Sequence, residues 1–245
     1  MTDAGRSRAT ATDDSAFRRL PARFSGVIAV ALAAGAVVLV AAEPVQRWVL
    51  AVALVGVAVF AGGGMLWRRD RSVAIGVVGV AIGVVGTLLV AAALGLALTR
   101  PPRYVDRVEL LPGLVGLWVL AAGLVPLRLG SERTLVDAGT GLVFLTVLAG
   151  GVIQSTPLRA VLLAGVLTMV AWDVAENAVS LGGQLGVAAD AGRSEIVHVG
   201  GSVAVGAVAV VLVALVNELD VDGLPFAGLI ALLVAGVILT LFYNR

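Results

Sequence analysis

Eight runs of about 20 predominantly apolar residues, each separated from the next by a short charged or turn-forming stretch, constrain this chain more than any other feature. A helix rises about 1.5 Å per residue and the hydrocarbon core of a bilayer is about 30 Å thick, so about 20 residues suffice to cross it. The spacing predicts membrane-spanning helices at about 24–42, 48–67, 73–99, 110–127, 136–153, 158–181, 196–216 and 224–243. Backbone groups in lipid must be satisfied internally, which leaves helices and closed barrels as spanning structures. Barrel strands alternate in hydrophobicity over about ten residues, whereas these runs are apolar all round. The chain therefore reads as an all-α, polytopic transmembrane helix bundle. Residues 23–245 form its single domain, and 1–22, rich in Ser, Thr, Ala, Asp and Arg, form a disordered cytoplasmic tail. A signal peptide cleaved after Ala41-Ala42 competes for the first run, but the long basic lead-in and seven further runs favour a retained span.

Composition supports this and removes several functions. The chain is 60% hydrophobic and 13% charged, against about 45–50% and about 25% in soluble domains, so a water-facing surface would lack half its charge. Without cysteine there is no disulfide framework, thiolate nucleophile or iron–sulfur site. His198 is the one histidine, which excludes multi-histidine metal sites. A net charge of +1 gives no reason to propose nucleic acid as a partner. No Walker loop, nucleotide fingerprint, His-Glu-x-x-His helix or Gly-x-Ser-x-Gly elbow occurs, and no cofactor is expected.

All 17 basic residues are arginine, and their distribution predicts orientation. Counting only arginines near the run ends, and with the N-terminus inside, the cytoplasmic side holds ten (Arg18, Arg19, Arg23, Arg68, Arg69, Arg71, Arg128, Arg133, Arg193 and Arg245) and the outer side five (Arg47, Arg100, Arg103, Arg107 and Arg159). Both termini are thus expected in the cytoplasm of a multi-pass cell-membrane protein. The three arginines at 100–107 run against the trend.

Lipid provides no hydrophobic drive between helices, so close packing at small residues must replace it. In the third run Gly76, Gly79, Gly83 and Gly86 fall on one stripe at spacings of 3, 4 and 3, within a repeated Ala-Ile-Gly-Val-Val-Gly unit. This predicts a central helix. Gly113, Gly116 and Gly123 make a similar stripe on the fourth run, and the two are expected to pack on each other. Gly62-Gly63-Gly64 reads either as a flexible point or as small residues near the inner boundary.

One stretch breaks the rule that charge lies at run ends. Asp173 is 14 residues beyond Arg159, about 21 Å along a helix and past the midplane. Glu176, Asn177, Ser180 and Gln184 follow at offsets of 3, 4, 7 and 11, on the same face. On the seventh run, after Ser194 as expected N-cap, Glu195, His198, Ser202 and Gly206 share a stripe. A charged residue in mid-helix costs about 2.5–3.5 kcal/mol on insertion scales, so both faces should look into the bundle or a wet cavity. The expectation is one polar cluster at the cytoplasmic end, made of Asp173, Glu176, Asn177, Ser180, Glu195, His198 and Ser202 with Arg193 in reach of an acid. Three chemistries fit it: hydrogen bonds and ion pairs that fasten the sixth and seventh helices, an ion, proton or small-solute pathway, or a metal site using Asp173, Glu176, Glu195 and His198. Glu195-x-x-His198 has the spacing of di-iron bundles, which need a second such pair that one histidine cannot supply.

At Trp172-Asp173, Glu176 to Gly182, Gln184 to Gly186, Arg193, Glu195 and His198, the sequence resembles a family of uncharacterised multi-pass membrane proteins of haloarchaea. The resemblance implies a bilayer location and no assigned reaction. It also implies genes beside those of MoxR-type ATPases, hence a non-enzymatic structural or assembly role among other membrane or cytoplasmic proteins of an envelope complex. The residues depart from intramembrane proteases, which need more histidines or a Ser–His pair.

Overall fold

The computed structural model describes residues 23–41, 43–69, 73–100, 104–125, 131–153, 156–185 and 192–218. The tail 1–22 and the expected eighth span, 224–243, lie outside the described residues. The regular structure among the described residues is helical: α1 (Arg23–Val40), α2 (Pro44–Arg69), α3 (Val73–Thr99), α4 (Tyr104–Leu124), α5 (Glu132–Ile153), α6 (Leu158–Leu185) and α7 (Gly192–Glu218). Four contain stretches long and apolar enough to cross a membrane, Pro44–Trp67, Val73–Thr99, Glu132–Val152 and Leu158–Gly182, and the apolar parts of α1, α4 and α7 are shorter. The chain divides into two units, Met1–Ala207 and Val208–Arg245, and the helix contacts that build the fold lie within the first.

Helix α3 has the bounds expected of the third run, but α2, α4, α5, α6 and α7 reach beyond theirs, α2 starting at Pro44 and ending at Arg69 instead of 48 and 67. Helices α4, α5 and α7 begin at Tyr104, Glu132 and Gly192 instead of near 110, 136 and 196, and α6 runs on to Leu185. Ser194 accordingly lies inside α7 and is not its N-cap. Hydropathy marks where apolar residues stop. A helix ends only where its backbone bonds stop, and those continue through charged residues. Pro112 sits inside α4; it has no N–H to give the carbonyl four residues earlier, a loss neighbouring helices can absorb.

Side-chain contacts put alternating helix termini together. Ser25 near the start of α1 meets Glu195 near the start of α7, and Arg133 near the start of α5 meets Glu176 and Ser180 toward the end of α6. A Cβ built on Gly26 would touch Leu124 at the end of α4. At the opposite end Gly150 approaches Val40 and Glu109, and Gly151 approaches Val161.

Helix α6 packs on α1 along one face. Ala164, Thr168, Ala171, Ala175 and Ala178, spaced 4, 3, 4 and 3, are all buried, as are Ala29, Ala33, Ala36 and Val40 on its partner α1. Two alanine stripes let the helices approach closely over several turns. At 100° per residue the α6 alanines lie opposite Asp173, Glu176 and Ser180. One face of α6 is therefore committed to α1 and leaves the polar face for α5 and α7.

The glycine seams correct an expectation. Helix α3 is peripheral, with 17% of its apolar stretch buried, and its glycines meet α2. A Cβ on Gly86 would stand 2.3 Å from Phe60 N and 2.6 Å from Gly56 O, and one on Gly79 2.8 Å from Gly63 O. The α4 glycines turn to α5: a Cβ on Gly116 would stand 2.6 Å from Gly139 O, and one on Gly113 3.0 Å from Thr146 Oγ1. Each stripe has its complement on a sequence neighbour through a short connection, a glycine-containing α2 for α3 and Gly139 of α5 for α4. In Gly62-Gly63-Gly64 the middle residue is close-packed, 2.5 Å from Gly83 N if given a Cβ, Gly64 abuts Val125, and Gly62 is open.

Candidate functional site

The polar residues of α6 and α7 do not form one cluster. They divide into three contacts, each joining a different pair of helices, because the polar face of α6 spans an arc of about 100° and two neighbours divide it.

On the α7 side, His198 Nε2 lies 3.1 Å from Asp173 Oδ2. The distance suits an ion pair, but the ring N–H does not point along the line as a hydrogen bond requires. Ser202 Oγ contacts the same carboxylate oxygen and lies 3.0 Å from the carbonyl of His198. A hydroxyl has one proton to place between these two acceptors. Asp173 and His198 keep 47% and 38% of their side-chain surface exposed, and Ser202 is half-buried.

On the α5 side, Arg133 Nε lies 2.8 Å from Glu176 Oε1, and Arg133 also donates to Ser180 Oγ at 2.9 Å. The two acceptors are four residues apart, one turn on the same face of α6, so a single guanidinium spans both. One turn further along, Trp172 Nε1 donates to Asp137 Oδ1 at 2.8 Å. Arg133 and Asp137 are themselves four residues apart. Two parallel rungs thus join α5 to α6.

The third contact is deepest. Glu195 is 7% exposed, and its Oε2 accepts from Ser25 N at 3.1 Å and from Ser25 Oγ at 3.2 Å. Ser25 is the third residue of α1, so its N–H is one of the four at a helix start that have no acceptor within the helix. A carboxylate there also faces the positive end of the helix dipole. Glu195 caps a helix 170 residues away in sequence.

Of the expected members, Asp173, His198 and Ser202 come together. Glu176 and Ser180 go to Arg133, and Glu195 goes to Ser25. Asn177 Nδ2 is buried and has no hydrogen-bond partner among the described residues. The side chain of Arg193 lies outside the described residues. Among those residues no three of His, Asp or Glu gather as a metal would require, so Asp173, Glu176, Glu195 and His198 do not form one ligand set. The Ser202 hydroxyl faces a carboxylate and not the imidazole ring, so this trio lacks the base-activated hydroxyl of a serine nucleophile. Ser25, Arg133 and Asp137 are participants that the polar stripes of α6 and α7 do not announce. Arg133 and Asp137 do carry a signal of their own, an i, i+4 pair on the first turns of a helix that starts at the same end.

Apolar helices able to cross a bilayer, joined by polar contacts near one end, define an all-helical membrane protein. A model described as a family of unknown function (DUF7519) matches residues 86–240, and the chain belongs to that family. The match begins inside α3 and takes in α4, α5, α6 and α7, which supply every side chain of the three contacts except Ser25. No curated protein and no solved structure matches the chain.

Proposed function

We propose that this is a multi-pass protein of the cell membrane, with eight spans and both termini cytoplasmic, and that its polar contacts fasten α1, α5, α6 and α7 into a rigid, non-enzymatic structural or assembly component. The observation that carries this reading is the pairing itself: the acids Glu176, Glu195 and Asp173 each meet a donor on a different helix. Polar groups lining a solute path would face a common space. Here they face one another. The excess of arginine on one side of the expected spans supports the orientation. Partners in this role are other membrane or cytoplasmic proteins of an envelope complex, for which fixed helix ends offer a stable platform.

A second reading, a proton, ion or small-solute pathway through Asp173, Glu176 and His198, draws on the partial exposure of Asp173 and His198 within the apolar part of the helices. The double change Glu176→Gln with His198→Asn separates the two. A fastener loses thermal stability and no flux, whereas a pathway loses flux in proteoliposomes with stability kept. If neither quantity moves, both readings of these residues fail.

A further inference from the structure

Two carboxylates of the α5–α6 pair have no permanent cation among the described residues. Asp137 is exposed and accepts from the neutral indole of Trp172. Asp173, half-exposed, meets the neutral hydroxyl of Ser202 and faces His198, which is cationic only when protonated. The guanidinium of Arg133, one turn from Asp137, is committed to Glu176 and Ser180. Among the described residues this surface therefore sets three acids, Asp137, Asp173 and Glu176, against one arginine. Both uncompensated acids lie within stretches apolar enough to cross a membrane. A carboxylate facing lipid there is costly, and the usual remedy is a cation beside it.

An exposed ring stands between the two acids. Trp172, 42% exposed, immediately precedes Asp173 and holds Asp137 through its N–H. An indole face attracts a cation, and arginine suits it best, because a planar guanidinium can stack on the ring while its N–H groups reach carboxylates. The same surface has room for a helix. Gly141, one turn beyond Asp137, and Gly165, two turns before Trp172, are open, since a Cβ built on either meets nothing within 4 Å. Met169, on the same side of α6, is 53% exposed and adapts readily to a neighbour. Small residues let a transmembrane helix approach closely. The expected eighth run of this chain, 224–243, contains no charged residue and cannot supply the cation.

We propose that this face docks a transmembrane helix of a partner protein, seated against Gly141 and Gly165, with an arginine of that helix over Trp172 and between Asp137 and Asp173. The inference rests on the bilayer location and assembly role proposed above and names the chemistry of the partner.

Förster transfer in liposomes between the labelled full chain and synthetic alanine–leucine helices of about 20 residues tests the assignment. Two peptides are compared, identical except for one arginine or one glutamine about one turn from an end. The wild type should bind the arginine peptide about tenfold more tightly, the value of one hydrogen bond between charged groups. Asp137→Asn with Asp173→Asn, which keeps acceptor oxygens for Trp172 and Ser202, should remove that preference and leave weak binding of both peptides. Gly165→Leu, which fills the seat, should lose both peptides, while Gly95→Leu, at an open position of α3, should keep them. Circular dichroism checks that each variant is folded, and the Asp137/Asp173 variant carries the test if Gly165→Leu does not fold. Equal binding of the two peptides by the wild type, an unchanged preference in the Asp137/Asp173 variant, or full binding by a folded Gly165→Leu overturns the proposal. Transfer between labelled copies of the chain that the Asp137/Asp173 variant abolishes would assign the face to a second copy and also overturns it. The fastening reading is measured separately, by the stability of Glu176→Gln with His198→Asn: stability lost there, with no arginine preference in the wild type, refutes the docking alone.

Discussion

Glu195→Ala is expected to lower stability by about 2 kcal/mol, mainly by undocking the start of α1. Glu195 is 7% exposed and its Oε2 accepts both the N–H and the hydroxyl of Ser25, at 3.1 and 3.2 Å. Alanine leaves the Ser25 N–H buried with no acceptor, a loss of about 1–3 kcal/mol. It also removes negative charge from the positive end of α1, about 0.3–1 kcal/mol. The hydroxyl can rotate to another acceptor and adds little. Hydrogen bonds between helices in membranes average only about 0.6 kcal/mol, because the unfolded state also finds partners, so the middle of the combined range is the reasonable figure. At about 2–4 °C per kcal/mol for a chain of this size, the melting temperature should fall by about 4–8 °C. Glu195→Gln keeps an acceptor oxygen and should cost about half as much. Ser25→Ala keeps the N–H and should cost about 1 kcal/mol or less. Thermal unfolding in detergent gives the stabilities, and hydrogen exchange at the Ser25 amide gives the location, since protection there should fall in Glu195→Ala before protection in the α2–α3 pair changes. A Glu195→Ala protein that melts within about 1 °C of wild type, with Ser25 exchange unchanged, would show that the cap contributes nothing.

The α2–α3 seam predicts opposite outcomes for one substitution on one helix: Gly86→Ala, whose Cβ would stand 2.3 Å from Phe60 N, should destabilise by about 1–2 kcal/mol, and Gly95→Ala, where nothing lies within 4 Å, should be neutral or stabilising in the same melting experiment. Arg133 is 64% exposed, so a double-mutant cycle of Arg133→Gln with Glu176→Gln should return a coupling of about 1 kcal/mol or less; a coupling above about 2 kcal/mol would mean the pair is shielded from solvent. Trp172→Phe, which keeps the ring and loses the bond to Asp137, should cost about 0.5–1.5 kcal/mol and leave the His198–Asp173 contact intact, which the imidazole carbon shifts in an NMR spectrum would report.

Periodicity specifies which residues share a face, and it is silent about how many neighbours that face meets. The offsets of 3, 4 and 7 from Asp173 do put Glu176, Asn177 and Ser180 on one side of α6, but an arc that wide is broader than one packed helix, and α5 and α7 each take part of it. The same limit explains the glycine stripes. Their spacing marks α3 and α4 as close-packing helices, yet a stripe identifies its partner only through the complementary surface, and Gly56 and Gly139 are unremarkable among 31 glycines. The alanine stripes joining α1 to α6 are harder still to read, because in a chain that is 60% hydrophobic a run of small apolar residues looks the same whether it faces lipid or a neighbour. Charges carry the most legible signal, since each buried one must have a partner. Yet the partner of Glu195 is Ser25, a residue whose sequence context is an ordinary helix start after an arginine. A carboxylate can be satisfied by backbone N–H groups that every helix start supplies. The sequence therefore requires a partner for each acid, while the choice among helix starts falls to the packing of the alanine and glycine seams.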